Sequence, residues 1–237
     1  MSFNEKLLEK LNKIQLNVND EVLNKFFVYM TNLLEWNEKI NLTAITEEDD
    51  IILKHFIDSL TILEYIPEKS NVIDVGTGAG FPGIPLKIVR EDINMTLMDS
   101  LNKRITFLNE IINKLGLKKI NAIHSRAEEL AKMPEHREKY DIAVSRAVAN
   151  LSTLSEYMIP FVKVGGKCIC MKGSNIEEEL KTAKNAIKEL GGEVEKVINF
   201  KLPDSDNERN IIIIKKVRNT KSKYPRKAGM PSKEPLK

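Results

Sequence analysis

The stretch Asp74-Val75-Gly76-Thr77-Gly78-Ala79-Gly80-Phe81-Pro82-Gly83 constrains the fold more than any other part of the chain. It follows an apolar run and opens a helical pattern, so its glycines fall where a strand turns into a helix. Such a turn lets backbone approach a ligand closely. A G-x-G-x-x-G match exists at Gly78, Gly80 and Gly83, but the strand is predicted to end near Val75. Gly76 is then the turn glycine and D-x-G-x-G-x-G the working pattern, which reduces the dinucleotide match to a coincidence of register. No G-x-x-x-x-G-K-[ST] occurs, so a P-loop is excluded.

From Asn71 onward, short apolar runs alternate with helical patterns, the signature of strand–helix units building a parallel sheet. Seven strands are predicted, at 71–76, 95–99, 121–125, 140–145, 167–172, 193–200 and 210–217. Helices fit between them at 84–89, 103–115, 151–159 and 176–190, the last stopped by Gly191-Gly192. The final two strands are joined by Lys201 to Arg209, too short for a crossover helix, so they should pair as an antiparallel hairpin. An open, mostly parallel α/β sheet with that ending resembles the Rossmann-like class I S-adenosylmethionine-dependent methyltransferases; dinucleotide dehydrogenases usually continue with parallel units.

The first seventy residues have helical spacing instead. Phe3, Leu7, Leu8, Leu11 and Ile14 fall on one stripe, and Val22, Leu23, Phe26, Phe27, Met30, Leu33 and Leu34 on another. A third helix is predicted from near Glu47 to Tyr65, after a turn and cap at Asn41, Thr43 and Thr46 and before Pro67. The expected organisation is a small helical subdomain at 1–69, the sheet domain at 70–217 and a tail at 218–237. That tail has no periodicity, so it folds only by docking.

At 237 residues and 42% hydrophobic content the chain can bury one substantial core. It has no apolar run of membrane-spanning length and its start lacks a signal-peptide core, so a soluble, cytoplasmic protein is expected. Cys168 and Cys170 supply too few ligands for zinc, and His55, His124 and His136 share no ligand spacing; no metal is expected. The net charge of +3 hides an asymmetry: Lys215 to Lys237 hold nine Lys and Arg against one acid, Glu234, a local +8. A concentrated basic terminus suits a phosphate-bearing partner, since cations release counterions on meeting a polyanion. The plainer reading is a solvated tail.

Ligands of open α/β sheets bind at the carboxyl ends of the strands. There, Asp99 closes the second strand, 25 residues after Asp74, where an acid can accept both hydroxyls of a ribose. After the third strand, Glu128 and its neighbouring N–H are placed to read an adenine edge, or serve merely as a helix-start carboxylate. Arg146 after the fourth strand and Lys172 after the fifth put cations at the same rim, either to hold a ligand or to pair with a rim carboxylate. His55 and Asp58, three apart on the third helix, share a face. An acid/base dyad is the sharper reading of that pair; a hydrogen bond that orients the helices is the preferred one.

The ordered set NLTAIT, Lys54 to Leu60, DVGTGAGFPGIPLKI, Asp99-Ser100, Lys103-Arg104, RAEEL, YDIAVSRAVANL, Gly165-Gly166, Lys172-Gly173 and Tyr224 to Pro231 runs through most of the chain. It resembles the ribosomal RNA small subunit methyltransferase G family, also called glucose-inhibited division protein B. The resemblance implies methyl transfer from S-adenosylmethionine to N7 of a guanine in the decoding-region loop of 16S ribosomal RNA. It also implies a cofactor site lined by Gly76, Phe81, Ala127, Glu128 and Arg146, to which the strand-end argument adds Gly78 and Asp99. Guanine N7 carries an in-plane lone pair, so no general base is expected and no catalytic residue is assigned. Arg146 and Lys172 are expected to position RNA. Lys215, Lys216, Arg218, Lys221, Lys223, Arg226 and Lys227 are expected to grip phosphates, with Tyr224 stacking on a base. The partner is then small-subunit ribosomal RNA or the small ribosomal subunit, with no membrane. The alternative is a non-catalytic ribosome-binding or assembly factor with a vestigial cofactor pocket.

Overall fold

The computed structural model describes residues 1–174 and 176–236. Its centre is a seven-stranded sheet of order β3-β2-β1-β4-β5-β7-β6. The strands are β1 (Asn71–Val75), β2 (Asn94–Asp99), β3 (Ile120–His124), β4 (Tyr140–Arg146), β5 (Val162–Lys172), β6 (Gly192–Lys201) and β7 (Glu208–Lys216). β1 to β5 pair in parallel, and β7 lies antiparallel to both β5 and β6. The order reverses between β1 and β4, so their carboxyl ends open the crevice in which such sheets bind ligands.

Strand parity separates the two faces, as the pleat requires. Val72, Leu97, Val144, Ile211 and Ile213 join one buried cluster, whereas Ile73, Val75, Cys168, Cys170, Ile212 and Ile214 join the other. On the first face lie α1 (Phe3–Lys13), α2 (Asp20–Ile40), α5 (Gly83–Val89) and α6 (Asn102–Lys114). On the second lie α7 (Ala127–Leu130), α8 (Leu151–Met158) and α9 (Glu177–Leu190). The N-terminal helices therefore bury their stripes in the same core as α5 and α6. Those stripes are narrower than the spacing predicts: Leu8 is 37% and Phe27 44% exposed.

The third helix changes type along its length. α3 (Glu48–Ile51) runs into a π-helical turn (Ile52–Ile57) and then α4 (Asp58–Leu60), with a 3-10 turn at Leu63–Tyr65. A π-turn inserts an extra residue per turn and recurs at functional sites. Here it carries Lys54 and His55 and leads into Asp58.

The tail is not a solvated arm. Tyr224 is 5% exposed, and the segment closes with α10 (Met230–Lys233) packed beside α8. Arg137 fastens it by donating to the carbonyls of Thr220 and Tyr224 at 2.9 and 2.8 Å.

Candidate active site

The glycine turn is built from Asp74. Its carboxylate, fully buried at the end of β1, accepts Thr77 Oγ1 at 2.6 Å and the Gly83 N–H at 2.8 Å. Its other oxygen is buried with no partner among the described residues. Burial pushes this acid up to about 7, partly opposed by those two hydrogen bonds. From the helical layer, Tyr29 donates its hydroxyl to the Ala79 carbonyl at 2.5 Å, locking the turn from behind. Gly76 has φ +72, and a Cβ there would come within 2.7 Å of Val148, so both backbone and space require glycine.

Asp99, 2% exposed, ends β2 beside that turn. It accepts the N–H of Gly78 and of Leu101, each at 2.9 Å, and pairs with Arg104 at 3.1 Å. With Gly76, Met98, Ser100, Arg126, Ala127, Glu128, Val148 and Tyr157 it lines a groove of about 280 Å³. Met98, Ala127 and Val148 offer apolar surface beside a run of acids and hydroxyls. Next to Gly78 there is open space, with nothing within 4 Å of where a Cβ would stand. Apolar walls, an acid at the strand end and an uncrowded glycine turn fit a ligand combining a flat base, a ribose and a short polar chain.

A second cavity of about 330 Å³ adjoins this groove, and Ala147, at φ +55, lines both. Its walls include Lys54, His55, Asp58, Arg146, Lys172, Gly173, Arg209 and Asn210. Arg146 Nη1 reaches the Asp58 carboxylate at 3.0 Å and the Lys54 carbonyl at 2.9 Å, while Nη2 donates to His55 Nδ1 at 3.1 Å. Arg209 takes the other Asp58 oxygen at 3.1 Å. The guanidinium also lies 5.0 Å from the centroid of the Phe81 ring, which stacks on His55 at 4.3 Å. Burial and then Arg146 push His55 down to about 3, so its ring is neutral. Since Nδ1 accepts from Arg146, Nε2 carries the proton and donates to Thr43 Oγ1 at 2.8 Å.

Gly76, Asp99, Ala127 and Glu128 line the groove; Gly78 reaches it through its bond to Asp99. Arg146 faces the adjoining cavity instead, and Phe81 is buried behind it, because the cation and the ring pack on each other. His55 and Asp58 meet on Arg146, not on one another. Lys172 is paired with Glu179 at 2.7 Å and bonded to the Ala149 carbonyl.

Three tail residues are placed otherwise than the sequence suggests. Tyr224 is buried in the second-face core and presents no ring to a base. Arg226 forms a two-pronged pair with the wholly buried Glu156, at 2.7 and 3.0 Å, because that carboxylate needs a compensating cation. Lys216, 1% exposed, is likewise consumed by Glu138 and Thr220. Lys215 and Lys227 stay exposed. Arg104 lines the groove and Arg209 the adjoining cavity, neither singled out from the sequence, while buried Glu156 lies outside both and anchors the tail.

Solved structures share this fold. A S-adenosylmethionine-dependent methyltransferase from Aquifex aeolicus aligns with a TM-score of 0.51 at 20% identity, over 66% of this chain and 89% of that one. TYW2 of M. jannaschii, in complex with S-adenosylmethionine, aligns with a TM-score of 0.53 at 15% identity, over 67% and 74%. The shared fold is that of the class I S-adenosylmethionine-dependent methyltransferases. Residues 22–212 match the family of rRNA small subunit methyltransferase G. A protein of that name from Clostridium botulinum is 53% identical over 239 residues, 100% of both chains, and one from Acetivibrio thermocellus is 55% identical over 231 residues, 97% of this chain and 95% of that one. The chain belongs to this family, and S-adenosylmethionine is its cofactor. Among the described residues no helix is long and apolar enough to cross a membrane, and no cluster of three metal-ligating side chains occurs.

Proposed function

We propose that the protein methylates N7 of a guanine in the decoding-region loop of small-subunit ribosomal RNA. The observation that carries this reading is the pair of cavities meeting at Ala147, one suited to the cofactor and the other holding no free base. His55 is held neutral between Thr43 and Arg146, and Asp58 is engaged by two guanidiniums. Such a cavity suits an acceptor that needs no proton removed, and guanine N7 is one. The names of its relatives supply the ribosomal RNA.

When bound, S-adenosylmethionine supplies an electrophilic methyl group on its sulfonium. Asp99 would accept the ribose hydroxyls, Ala127 and Glu128 would face the adenine, and the turn from Gly76 to Gly78 would admit the amino-acid end. Arg146, Arg209 and Lys172 would orient the incoming nucleotide through its phosphate or base edge. Holding nucleophile and methyl in attack geometry supplies about 7–11 kcal/mol, enough to make alignment the main task. The product base is cationic, so charge beneath it must be limited; Asp58 and Glu179 offset the nearby cations.

The test is transfer of labelled methyl to small subunits, or to RNA extracted from them, taken from cells lacking the enzyme. Label at one guanine supports the proposal. Tight cofactor binding without transfer to either substrate would instead favour a ribosome-binding factor.

A further inference from the structure

The C-terminal segment ends against the wall of the cofactor groove, at one carboxylate. Glu128 is 4% exposed and lines that groove, so its charge needs donors from the protein. Its Oε1 accepts the backbone N–H of Gly229 at 2.8 Å, from 101 residues further along the chain.

Gly229 is held there by ties on either side. Arg226 grips buried Glu156 through its side chain, and its own N–H donates to the same carboxylate at 2.7 Å. Beyond Gly229, the Pro231 carbonyl accepts Thr153 Oγ1 at 2.9 Å. Thr153 and Glu156 both lie on α8, and the next residue, Tyr157, lines the groove. The segment, α8 and Glu128 thus form one hydrogen-bonded block beside the cofactor.

We propose that residues 226–231 are a positioning strap for the cofactor site. The Gly229 N–H sets the orientation of Glu128, and the Arg226–Glu156 pair anchors the strap. This rests on the reading of Glu128 as a cofactor contact. Because the strap holds Glu128 in its binding orientation without displacing the cofactor, cofactor binding and strap docking strengthen one another reciprocally.

Gly229 allows a clean probe. It has φ +83, and a Cβ would meet nothing within 4 Å, so a substitution alters backbone preference without a clash. Asparagine tolerates this conformation, whereas β-branched valine does not.

The experiment measures S-adenosylmethionine affinity by calorimetry on the full chain, with Asp99→Ala as the groove control, and kcat at saturating cofactor. Gly229→Val and Arg226→Ala should weaken binding about tenfold with kcat unchanged, and Gly229→Asn should bind as the unmodified chain does. In the unmodified protein, saturating cofactor should slow hydrogen exchange across 226–233. A strap that is only structural would lower the melting temperature in both weakened variants and leave affinity intact, which overturns the proposal. If those variants do not fold, unchanged exchange in the unmodified protein overturns it equally. Wild-type affinity in Asp99→Ala would overturn the groove reading itself; loss there with none in Gly229→Val overturns the strap alone.

Discussion

Arg146 at the end of β4 and Asp58 on α4 are 88 residues apart in sequence and 3.0 Å apart in space. Their contact joins the N-terminal helices to the rim of the sheet, and it fixes the side chains between the cofactor groove and the adjoining cavity. Arg209 on β7 shares the same carboxylate, so one acid orients two cations from two strands.

Removing that acid should be costly to stability. Asp58 is 3% exposed, and Asp58→Ala leaves the guanidiniums of Arg146 and Arg209 without their carboxylate. A loss of about 3–5 kcal/mol is expected in urea unfolding, the range for breaking a buried pair from one side. Loss of less than about 1 kcal/mol, the range of an exposed pair, would show that solvent satisfies both cations.

Arg146 and Asp99 should separate in kinetics. Asp99→Ala should weaken S-adenosylmethionine binding by about tenfold or more, since a charged acceptor bond contributes about 1.5–3 kcal/mol. Arg146→Ala should leave cofactor affinity alone and reduce methyl transfer about 100-fold through misplacement of the acceptor. Cofactor titration and single-turnover transfer measure the two effects; a cofactor defect in the Arg146 variant would place that residue in the groove.

Two buried groups should pull stability in opposite directions with pH. Asp74, raised to about 7 by burial, keeps its proton in the folded chain while the unfolded chain loses it near 3.8, the ordinary value of an aspartate, so its contribution declines as pH rises from about 4 to 7. His55, lowered to about 3 by burial and Arg146, stays neutral while the unfolded imidazole is protonated below 6.5, so its contribution declines as pH falls through that window. Asp74→Asn should therefore leave stability rising from pH 4 to 6.5, and His55→Gln should leave it falling over the same span. Unfolding midpoints in urea across this range give the slopes, and equal profiles in both variants would contradict the assignment.

The tail should contribute fewer phosphate contacts than its charge suggests. Lys216, Lys221, Lys223 and Arg226 are paired with Glu138, Glu189 and Glu156. RNA affinity measured against salt should lose about 0.7–0.9 in log–log slope with Lys227→Ala, and nothing with Lys216→Met. An equal loss in both would mean the tail unpacks on RNA.

The sheet was legible because strand parity and turn glycines are local signals: six strands begin and end within two residues of expectation. β5 begins earlier, at Val162, because Val162 already pairs with Tyr140 before a register shift spanning Gly165-Gly166, after which the ladder resumes at Lys167. The placement of Asp99 at the end of β2, beside the glycine turn, was legible for the same reason. What escaped was long-range. Apolar spacing does not distinguish a π-turn from an α-helix, so the geometry that brings His55 and Asp58 to Arg146 had no sequence signature. The tail's charges read as a solvent-facing patch because their partners, Glu138, Glu156 and Glu189, lie 32 or more residues away.

The central claim is transfer to guanine N7, and one atom tests it. Small subunits reconstituted with 7-deazaguanosine at the methylated nucleotide replace that nitrogen with carbon and keep the Watson–Crick edge. Guanine N7 as the acceptor predicts full transfer to the guanosine control and none to the deaza-substituted subunit. Equal label in both would contradict it and move the methyl to another atom.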